Sequence, residues 1–342
     1  MSAAPPQFTV IPGDDVARVL AGQEKRVVEL VEATYRAHGA GDSVNPPSAF
    51  LRFGDRPNAR IIALPASIGG RSRVDGIKWI ASYPDNVAGG LPRASAVLIL
   101  NEQATGYPFA CLEASIISSA RTAASAALAA DRLSRDRGRP RRIGYIGAGL
   151  IARHVHGYLA GTDWSFDQVL VHDLSAEQAE GFADGLRRRG EPGEVRVVDT
   201  AEDLVRGSDL VVFATVAGQP HVHDPAWFDH HPLVLHLSLR DLDPAVVLAA
   251  ANVVDDIEHC LTANTSVHLT EQRTGGRDFL LGTLDDVIAG RVAVPADRTV
   301  VFSPFGLGVL DLAVGAFVHD ELRREGRLRP VEGFFHDLDR HG

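Results

Sequence analysis

Four charged side chains interrupt apolar stretches of this sequence, and their types could support acid–base chemistry. Arg52 lies in SAFLRF, Lys78 in GIKWI, Arg121 in SSARTAAS, and Asp241 closely follows LVLHLSL. A buried charge is costly, so each of these residues needs an ion partner, exposure at a strand edge or a bound ligand. Arginine can clamp a carboxylate through two parallel hydrogen bonds, and a carboxylate can accept a proton. The four residues are therefore candidates for a ligand-binding site with acid–base chemistry.

Lys78 is the most informative of the four because lysine is rare in this chain. The sequence has 34 basic residues, of which only Lys25 and Lys78 are lysines. Lys25 lies in GQEKRVVEL, a run typical of a helix surface. Desolvation readily lowers the pKa of a lysine, whereas an arginine keeps its proton. Lys78 is therefore a candidate proton donor or acceptor, or a compact cation that stabilises a developing negative charge.

A glycine-rich turn in RIGYIGAGLIARHVHGYL could bind a dinucleotide. It reads Gly147-x-Gly149-x-x-Ala152, after an apolar strand-like run and before a helical one, and that context is what gives the motif its weight. The first glycine allows the tight turn, the second lets a pyrophosphate approach the backbone, and the alanine lets the helix pack closely on the strand. The backbone N–H groups near Leu150 and Ile151 are then expected to face the pyrophosphate.

A second strand-like run, QVLVHDLS, ends in a carboxylate. Asp173 lies 26 positions after Gly147, near the spacing expected for the acid that binds the adenine ribose. A carboxylate at this position accepts from both ribose hydroxyls and repels a 2′-phosphate. The sequence therefore predicts NAD rather than NADP as the cofactor.

The first part of the chain mixes helical and strand-like patterns. Apolar residues recur at helical spacing over 14–39, and an alanine-rich helix is predicted at 115–135. Between them lie a predicted hairpin in SAVLILNEQATGYPFACLEAS and strand-like segments at 49–53, 60–65 and 74–83. The basic stretch RDRGRPRR, residues 135–142, is interpreted as a linker.

The second part alternates apolar strands with helices, which predicts a parallel sheet covered on both faces. We therefore expect an α/β protein with a Rossmann-type doubly wound parallel sheet at 135–305. An α+β domain is expected at 1–134 and, because it lacks a dinucleotide motif, should supply the substrate side. A last helix at about 306–324, with the tail to 342, is predicted to join that first domain.

Composition argues against several classes of function. The formal net charge is −10 and there is no basic patch with interleaved aromatic residues, so nucleic acid is not an expected partner. No run of about eighteen apolar residues predicts a membrane span, and the first residues lack a signal-peptide pattern, so a cytoplasmic protein is expected.

Two groups of histidines and two cysteines could suggest a metal or a disulfide. HVHD (221–224) and DHH (229–231) lie among prolines and lack the spacing of known metal motifs, so we expect no metal. Cys111 and Cys260 lie in apolar surroundings and are interpreted as buried small hydrophobic residues.

These motifs together resemble the ornithine cyclodeaminase and mu-crystallin family over nearly the whole chain. The resemblance is carried, in the family's order, by GIKWIASYPDN, ILNEQATGYPFACLEASIISSARTAASAALAADRL, IGYIGAGLIA and SPFGLGVLDLAVG. KWIAS and EASIISSARTAA are most similar to the family's N-(2-amino-2-carboxyethyl)-L-glutamate dehydrogenases of 2,3-diaminopropionate biosynthesis. Cyclodeaminases proper tend to have Asp-Gly/Ala-Thr where this chain has Glu113-Ala114-Ser115.

The resemblance implies a homodimer, with the domain at 1–134 and the C-terminal helix forming a substrate-binding and dimerisation domain, and it assigns roles to individual residues. Arg52, Lys78 and Arg121 match positions that hold substrate carboxylate, and Asp241 matches the catalytic aspartate. Thr215, Val216 and Ser303 match positions around the nicotinamide end of the cofactor, and Thr122 is a further expected cofactor-binding residue. Arg240 is not part of the family pattern, so it could contact a carboxylate or face solvent.

The resemblance also implies a reaction. NAD⁺ would take a hydride from the glutamate Cα of a secondary amine, and water would hydrolyse the imine to 2-oxoglutarate and L-2,3-diaminopropionate, a precursor of siderophores and peptide antibiotics. Asp241 would be the general base, with Lys78 as oxyanion stabiliser or proton partner, the two meeting beside the nicotinamide. Two alternatives remain open: ornithine cyclodeamination, and a mu-crystallin-like protein that binds a dinucleotide without turnover.

Overall fold

The computed structural model describes residues 6–70 and 73–335. The chain divides into two compact units, one formed by Met1–Arg121 with Leu307–Gly342 and the other by Thr122–Gly306. The domain boundaries expected from the sequence, after residues 134 and 305, stay a prediction.

The first unit is built on a mostly antiparallel sheet. Its strands are Thr9–Ile11 (β1), Ser43–Val44 (β2), Ala49–Arg52 (β3), Arg60–Ile68 (β4), Val74–Ser82 (β5), Ala94–Asn101 (β6) and Pro108–Glu113 (β7). The order is β1-β7-β6-β5-β4-β2, with β3 also paired to β4, and only β1 and β7 run parallel. The predicted hairpin is confirmed as the antiparallel pair β6 and β7.

Helices cover this sheet, and one of them comes from the far end of the chain. They are Gly13–Leu20 (α1), Glu24–Gly39 (α2), Ser115–Leu133 (α3, which begins in this unit) and Gly308–Arg324 (α11). The helical spacing over 14–39 corresponds to two helices, separated by a turn in which Ala21 is extended and Gly22 adopts a left-handed φ of 71°.

Glycines let α11 lie close to the sheet. A Cβ on Gly76 of β5 would lie 2.8 Å from Leu312 Cδ2, and a Cβ on Gly315 would lie 2.2 Å from Leu98 Cδ2. Leu98 and Leu100 of β6 are fully buried at this contact. Interiors packed this densely leave no room for an extra methyl group, so α11 holds a fixed position over β5 and β6.

The second unit contains an eight-stranded parallel sheet. Its strands are Arg142–Ile146 (β8), Gln168–His172 (β9), Glu194–Val197 (β10), Leu210–Phe213 (β11), Leu233–His236 (β12), Ala251–Val254 (β13), Leu280–Thr283 (β14) and Val300–Ser303 (β15). The order is β10-β9-β8-β11-β12-β15-β13-β14, and every pair runs parallel. The structure thus confirms the predicted Rossmann-type doubly wound sheet.

The connections of the second unit are helices that bury the strands. They are Leu150–Gly161 (α4), Ala176–Arg188 (α5), Ala201–Arg206 (α6), Pro244–Ala249 (α7), Ile257–Cys260 (α8), Ser266–Thr274 (α9) and Leu284–Ile288 (α10). Every residue of β11, β12, β13 and β15 is buried, as the apolar runs predict. The strand order reverses between β8 and β11, and ligands of such sheets bind at the carboxyl ends of the strands there. In the part of the chain that the structure describes, no helix has the length and apolar character needed to cross a membrane.

Candidate functional site

The glycine-rich turn follows β8 at the point where the strand order reverses. Gly147 has a φ of 92°, and a Cβ there would lie 2.6 Å from the carbonyl oxygen of Ala214. Gly149 is the N-cap of α4 without a side-chain cap, and a Cβ built on it meets nothing within 4 Å. The start of α4 is therefore open at Gly149, with Leu150 exposed and Ile151 half-buried. An uncapped helix start beside an open glycine fits the pyrophosphate of a dinucleotide.

Asp173 lies beside this turn, after β9, and is half-buried. Its Oδ2 accepts a hydrogen bond from the backbone N–H of Ala148 (2.8 Å), and its Oδ1 accepts one from Ser175 N–H (2.9 Å). The carboxylate therefore fixes the conformation of the glycine turn. Each oxygen retains a lone pair for a ribose hydroxyl, which is compatible with its expected role at the cofactor.

Asp241 follows β12 and is completely buried at the same edge of the second sheet. Its Oδ1 accepts a hydrogen bond from the Thr215 hydroxyl and lies 3.0 Å from His221 Nε2. Its Oδ2 lies 3.2 Å from His236 Nε2, and the other nitrogen of that ring lies 3.0 Å from Ser303 Oγ. The structure thus brings together Asp241, Thr215 and Ser303, three residues expected from the sequence: Thr215 bonds directly to Asp241, and His236 links Asp241 to Ser303. Sequence reasoning missed both histidines.

These contacts keep Asp241 ionised. Burial alone would raise the pKa of the carboxyl group, but hydrogen bonds from His221 and His236 outweigh it and hold that pKa well below its ordinary value. A carboxylate with such a low pKa is a good anchor for neighbouring donors and a weak base near neutral pH.

The other residues expected near the cofactor take varied positions in the second unit. Val216, directly after Thr215, is 75% exposed, and Thr122 in α3 is half-buried. Arg240 donates hydrogen bonds to the carbonyl oxygens of Asn264 (3.1 Å) and Ala263 (2.6 Å), so it tethers that loop.

Lys78 is buried in the first unit and contacts a carboxylate contributed by α11. Its Nζ lies 2.6 Å from Asp311 Oδ2 and 3.3 Å from Ser118 Oγ. The second oxygen of Asp311 accepts from Arg121 Nε at 3.2 Å. Lys78 is 2% exposed and Asp311 fully buried, so this ion-paired cluster holds two cations on one carboxylate in a nearly dry environment.

The cluster makes Lys78 easier to deprotonate than an ordinary lysine. Burial is the largest effect and lowers its pKa from 10.5 to about 8; the charge of Asp311 opposes this shift and that of Arg121 adds to it. A pKa near 8 leaves an appreciable neutral fraction just above neutral pH, which suits a group that exchanges a proton during turnover.

Arg52 lies on the same face of the first sheet as Lys78. Strand register pairs Arg52 with Arg60 and Arg60 with Ser82, four residues beyond Lys78 on β5. The Arg52 guanidinium is 5.0 Å from the centroid of the Phe50 ring and is exposed. The structure therefore places Arg52 at the end of this face, without a described contact to the ion-paired cluster.

A further arginine, missed from the sequence, reaches the same end of the face. Arg93 Nη1 donates a hydrogen bond to Ser82 Oγ at 2.8 Å, and burial lowers the pKa of Arg93. Its segment, GGLPRAS, reads as an ordinary turn. Sequence reasoning also missed Asp311. It lies in SPFGLGVLDLAVG, where a carboxylate among apolar residues indicates a buried charge that needs a partner.

Comparison with known proteins gives a consistent set of relatives. The model of the ornithine cyclodeaminase/mu-crystallin family matches residues 18–326. The N-((2S)-2-amino-2-carboxyethyl)-L-glutamate dehydrogenase of Staphylococcus aureus (strain NCTC 8325 / PS 47) is 28% identical over 321 residues, covering 91% of this chain and 94% of the relative. A solved archaeal alanine dehydrogenase dimer with bound NAD is 25% identical, with a TM-score of 0.85 over 96% of this chain and 100% of that chain. The crystal structure of CmnK is 30% identical, with a TM-score of 0.83 over 97% of this chain and 100% of that chain.

Proposed function

The chain belongs to the ornithine cyclodeaminase/mu-crystallin family, and we propose that within it the protein oxidatively hydrolyses N-(2-amino-2-carboxyethyl)-L-glutamate to 2-oxoglutarate and L-2,3-diaminopropionate. At the coarser level it is an NAD-dependent oxidoreductase that acts on the CH–NH bond of an amino acid. Its glycine turn, with the open N-terminus of α4 and the carboxylate of Asp173, would hold the NAD.

The observation that carries the choice of substrate is the excess of positive charge around one face of the first sheet. Five basic side chains lie around it, Lys78, Arg121, Arg52, Arg60 and Arg93, against the single carboxylate of Asp311, so positive charge is in excess. The proposed substrate has three carboxylates. Both compounds carry two amines, but ornithine has only one carboxylate and a net positive charge, so the same face would repel it.

The roles of the residues follow from their surroundings. Arg52 and Arg121 would orient substrate carboxylates through paired hydrogen bonds, which fixes the CH–NH carbon for reaction. Bound NAD⁺ supplies the acceptor for the hydride from that carbon. Lys78 would stabilise negative charge on the oxygen that water adds to the imine, or exchange a proton with it. Asp241 would direct the proton transfers that activate this water and release the amine.

We also propose that the first unit forms a homodimer through the face of its sheet that α11 does not cover. On that face Trp79 and Val97 are 43% and 40% exposed, and Ile77, Ile99 and Cys111 form an adjacent half-buried row. A second copy of the chain is the proposed partner, because the alanine dehydrogenase that shares this fold is a dimer. An apolar face of this kind marks an interaction site. Trp79→Glu should shift the protein to monomer in analytical ultracentrifugation, whereas Leu248→Glu, at a residue with similar exposure (40%), should not.

The reaction is tested by incubating the protein with NAD⁺ and the candidate secondary amine. NADH and 2-oxoglutarate should appear together in equal amounts. Conversion of L-ornithine to proline and ammonia, without accumulation of NADH, would instead identify a cyclodeaminase. Tight NAD binding with no turnover of either compound would identify a binding protein of the mu-crystallin kind. A cytoplasmic location and a role in siderophore or peptide-antibiotic synthesis stay predictions.

A further inference from the structure

We propose that His221 carries protons between the Asp241 site and solvent, so that Asp241 and His221 act as a carboxylate–imidazole pair. The inference rests on the proposed function, because it assigns the proton transfers of that reaction to a specific nitrogen. Asp241 has no exposed surface and is held ionised, so it is poorly suited to take up and release protons itself.

The two histidines on Asp241 differ in their access to solvent. His236 is 1% exposed, and its two ring nitrogens lie close to Asp241 Oδ2 and Ser303 Oγ. The His221 side chain is 40% exposed, and its Nε2 lies 3.0 Å from Asp241 Oδ1. With Nε2–H donating to the carboxylate, the Nδ1 lone pair of His221 is left to accept a proton. Of the two, only His221 can therefore exchange protons directly with water.

The backbone fixes His221 at this position. The N–H groups of His221 and Val222 both donate to the carbonyl oxygen of Asp241, at 3.0 and 2.9 Å, and Val222 forms a β-bridge with Leu242. Val222 is fully buried, which anchors the loop that follows β11. The imidazole and the carboxylate are thus held together by main chain as well as side chain, as an acid–base pair requires.

The titratable groups facing His221 are few in the described part of the chain. Asp241 is its direct partner, and His236 lies on the other oxygen of that carboxylate. His223, two residues further on, lies 3.3 Å from Asp243 instead, and Arg273 also approaches Asp243 at 3.6 Å. Asp241 is therefore the main charged group in contact with His221.

The proton balance closes within one turnover. When water adds to the protonated imine, its oxygen forms the C–O bond and His221 Nδ1 takes the released proton. His221 then returns that proton to the substrate nitrogen, whose C–N bond breaks as the C=O bond forms. The hydroxyl proton of the adduct passes to His221 and from there to solvent. Asp241 stays ionised throughout and stabilises the imidazolium.

The experiment compares His221→Ala, His221→Gln and the control His223→Gln, whose parent side chain is on the same loop and 65% exposed. Loss of a general acid–base should lower kcat of both His221 variants about 10²-fold, with KM for NAD⁺ unchanged, and leave the control near wild type. Added imidazole should restore the kcat of His221→Ala in proportion to the imidazole concentration. It should leave the kcat of His221→Gln unchanged, because the glutamine side chain still fills the site. The Gln variant should also lose the acidic limb of the kcat pH profile.

Two results would overturn the proposal for His221: a His221→Ala variant within 3-fold of wild-type kcat, or a loss of activity that imidazole does not relieve. If the wild type fails to turn over the secondary amine, the proposed function fails instead. In that case ¹⁵N NMR of the full chain still tests the pair without substrate. It should show the Nε2–H tautomer of His221 and a change of that signal in Asp241→Asn. An Nδ1–H tautomer would contradict the proton route.

Discussion

Replacing Asp311 with asparagine removes the carboxylate that lies between Lys78 and Arg121 while nearly preserving the shape of the side chain. The asparagine can no longer offset the burial of the Lys78 ammonium. We expect the pKa of Lys78 to fall well below its value of about 8, so that the amine is neutral at pH 7. The variant should therefore lose substrate binding or turnover without any change at the glycine turn.

The magnitude follows from the geometry. Opposite charges 2.6 Å apart attract by about 6 kcal/mol at an effective dielectric constant of about 20. Even half of that attraction corresponds to a fall of about 2 pH units in the pKa of Lys78. Breaking a buried ion pair by removing one partner should also lower the free energy of unfolding by about 3–5 kcal/mol.

The composition of the chain makes the assay simple. Lysine labelled with ¹³C gives signals from only Lys25 and Lys78, and the exposed Lys25 serves as the internal reference. The ¹³Cε shift of Lys78 is followed against pH in the wild type and in Asp311→Asn. Urea denaturation measures stability, with Asp320→Asn as control, because Asp320 is on the same helix, 54% exposed and paired with Arg323. The control substitution Asp320→Asn should lower the free energy of unfolding by less than about 1 kcal/mol.

The sign of the pH effect gives a second check. The pKa of Lys78 is lowered in the folded state, so the unfolded chain binds more protons between pH 8 and 10.5. Stability contributed by this residue should therefore rise with pH across that window, by about 3 kcal/mol in total. A Lys78 signal that titrates at the same pH in wild type and Asp311→Asn, or equal stability losses in Asp311→Asn and Asp320→Asn, would refute the reasoning.

Three further outcomes are expected. Asp241→Asn should lower kcat at least 10²-fold while isothermal titration calorimetry still detects NAD binding; near-native kcat would contradict the assigned role. Gly147→Ala should weaken NAD binding and stability, because φ is 92° and the new Cβ would meet backbone; unchanged NAD affinity would argue against a cofactor at this turn. Gly76→Ala should destabilise the protein by about 1–3 kcal/mol in urea denaturation, because its Cβ would lie 2.2 Å from Ile99 O. Gly157→Ala, in the middle of α4 with open space around it, is the matched control and should stabilise the protein by up to about 1 kcal/mol.

The fold was predictable wherever apolar periodicity and local turns determine structure. The βαβ pattern and the glycine turn after β8 indicated the parallel sheet, and ATGY between two apolar runs indicated the β6–β7 hairpin. The break at Gly22 was missed because the apolar spacing continues through it, and only the backbone angle reveals the end of α1.

Outside the glycine-turn motif and the family resemblance, the candidate site was predictable only where a charge interrupts an apolar run. Lys78 and Asp241 stand out in this way, but their partners do not. Asp311 is separated from Lys78 by 233 positions, so no local pattern links the two. His221 lies in a proline-flanked loop that resembles a surface segment, and its contact with Asp241 depends on the bridge between Val222 and Leu242. Such pairings arise from tertiary structure and leave no spacing signature.

Lys78 and its partner Asp311 on α11 are 233 positions apart, so Lys78 is synthesised long before the helix that carries its carboxylate partner. A ribosome has produced every strand of both sheets before the first residue of α11 emerges. Until then Lys78 lies on the inner face of the nascent first sheet without Asp311 to pair with it and without α11 to cover that face. The second unit is continuous in sequence and can close earlier. In a chain truncated before Gly308, the apolar face of the first sheet that α11 normally covers should stay exposed and be bound by chaperones. The second unit of such a chain should already be compact.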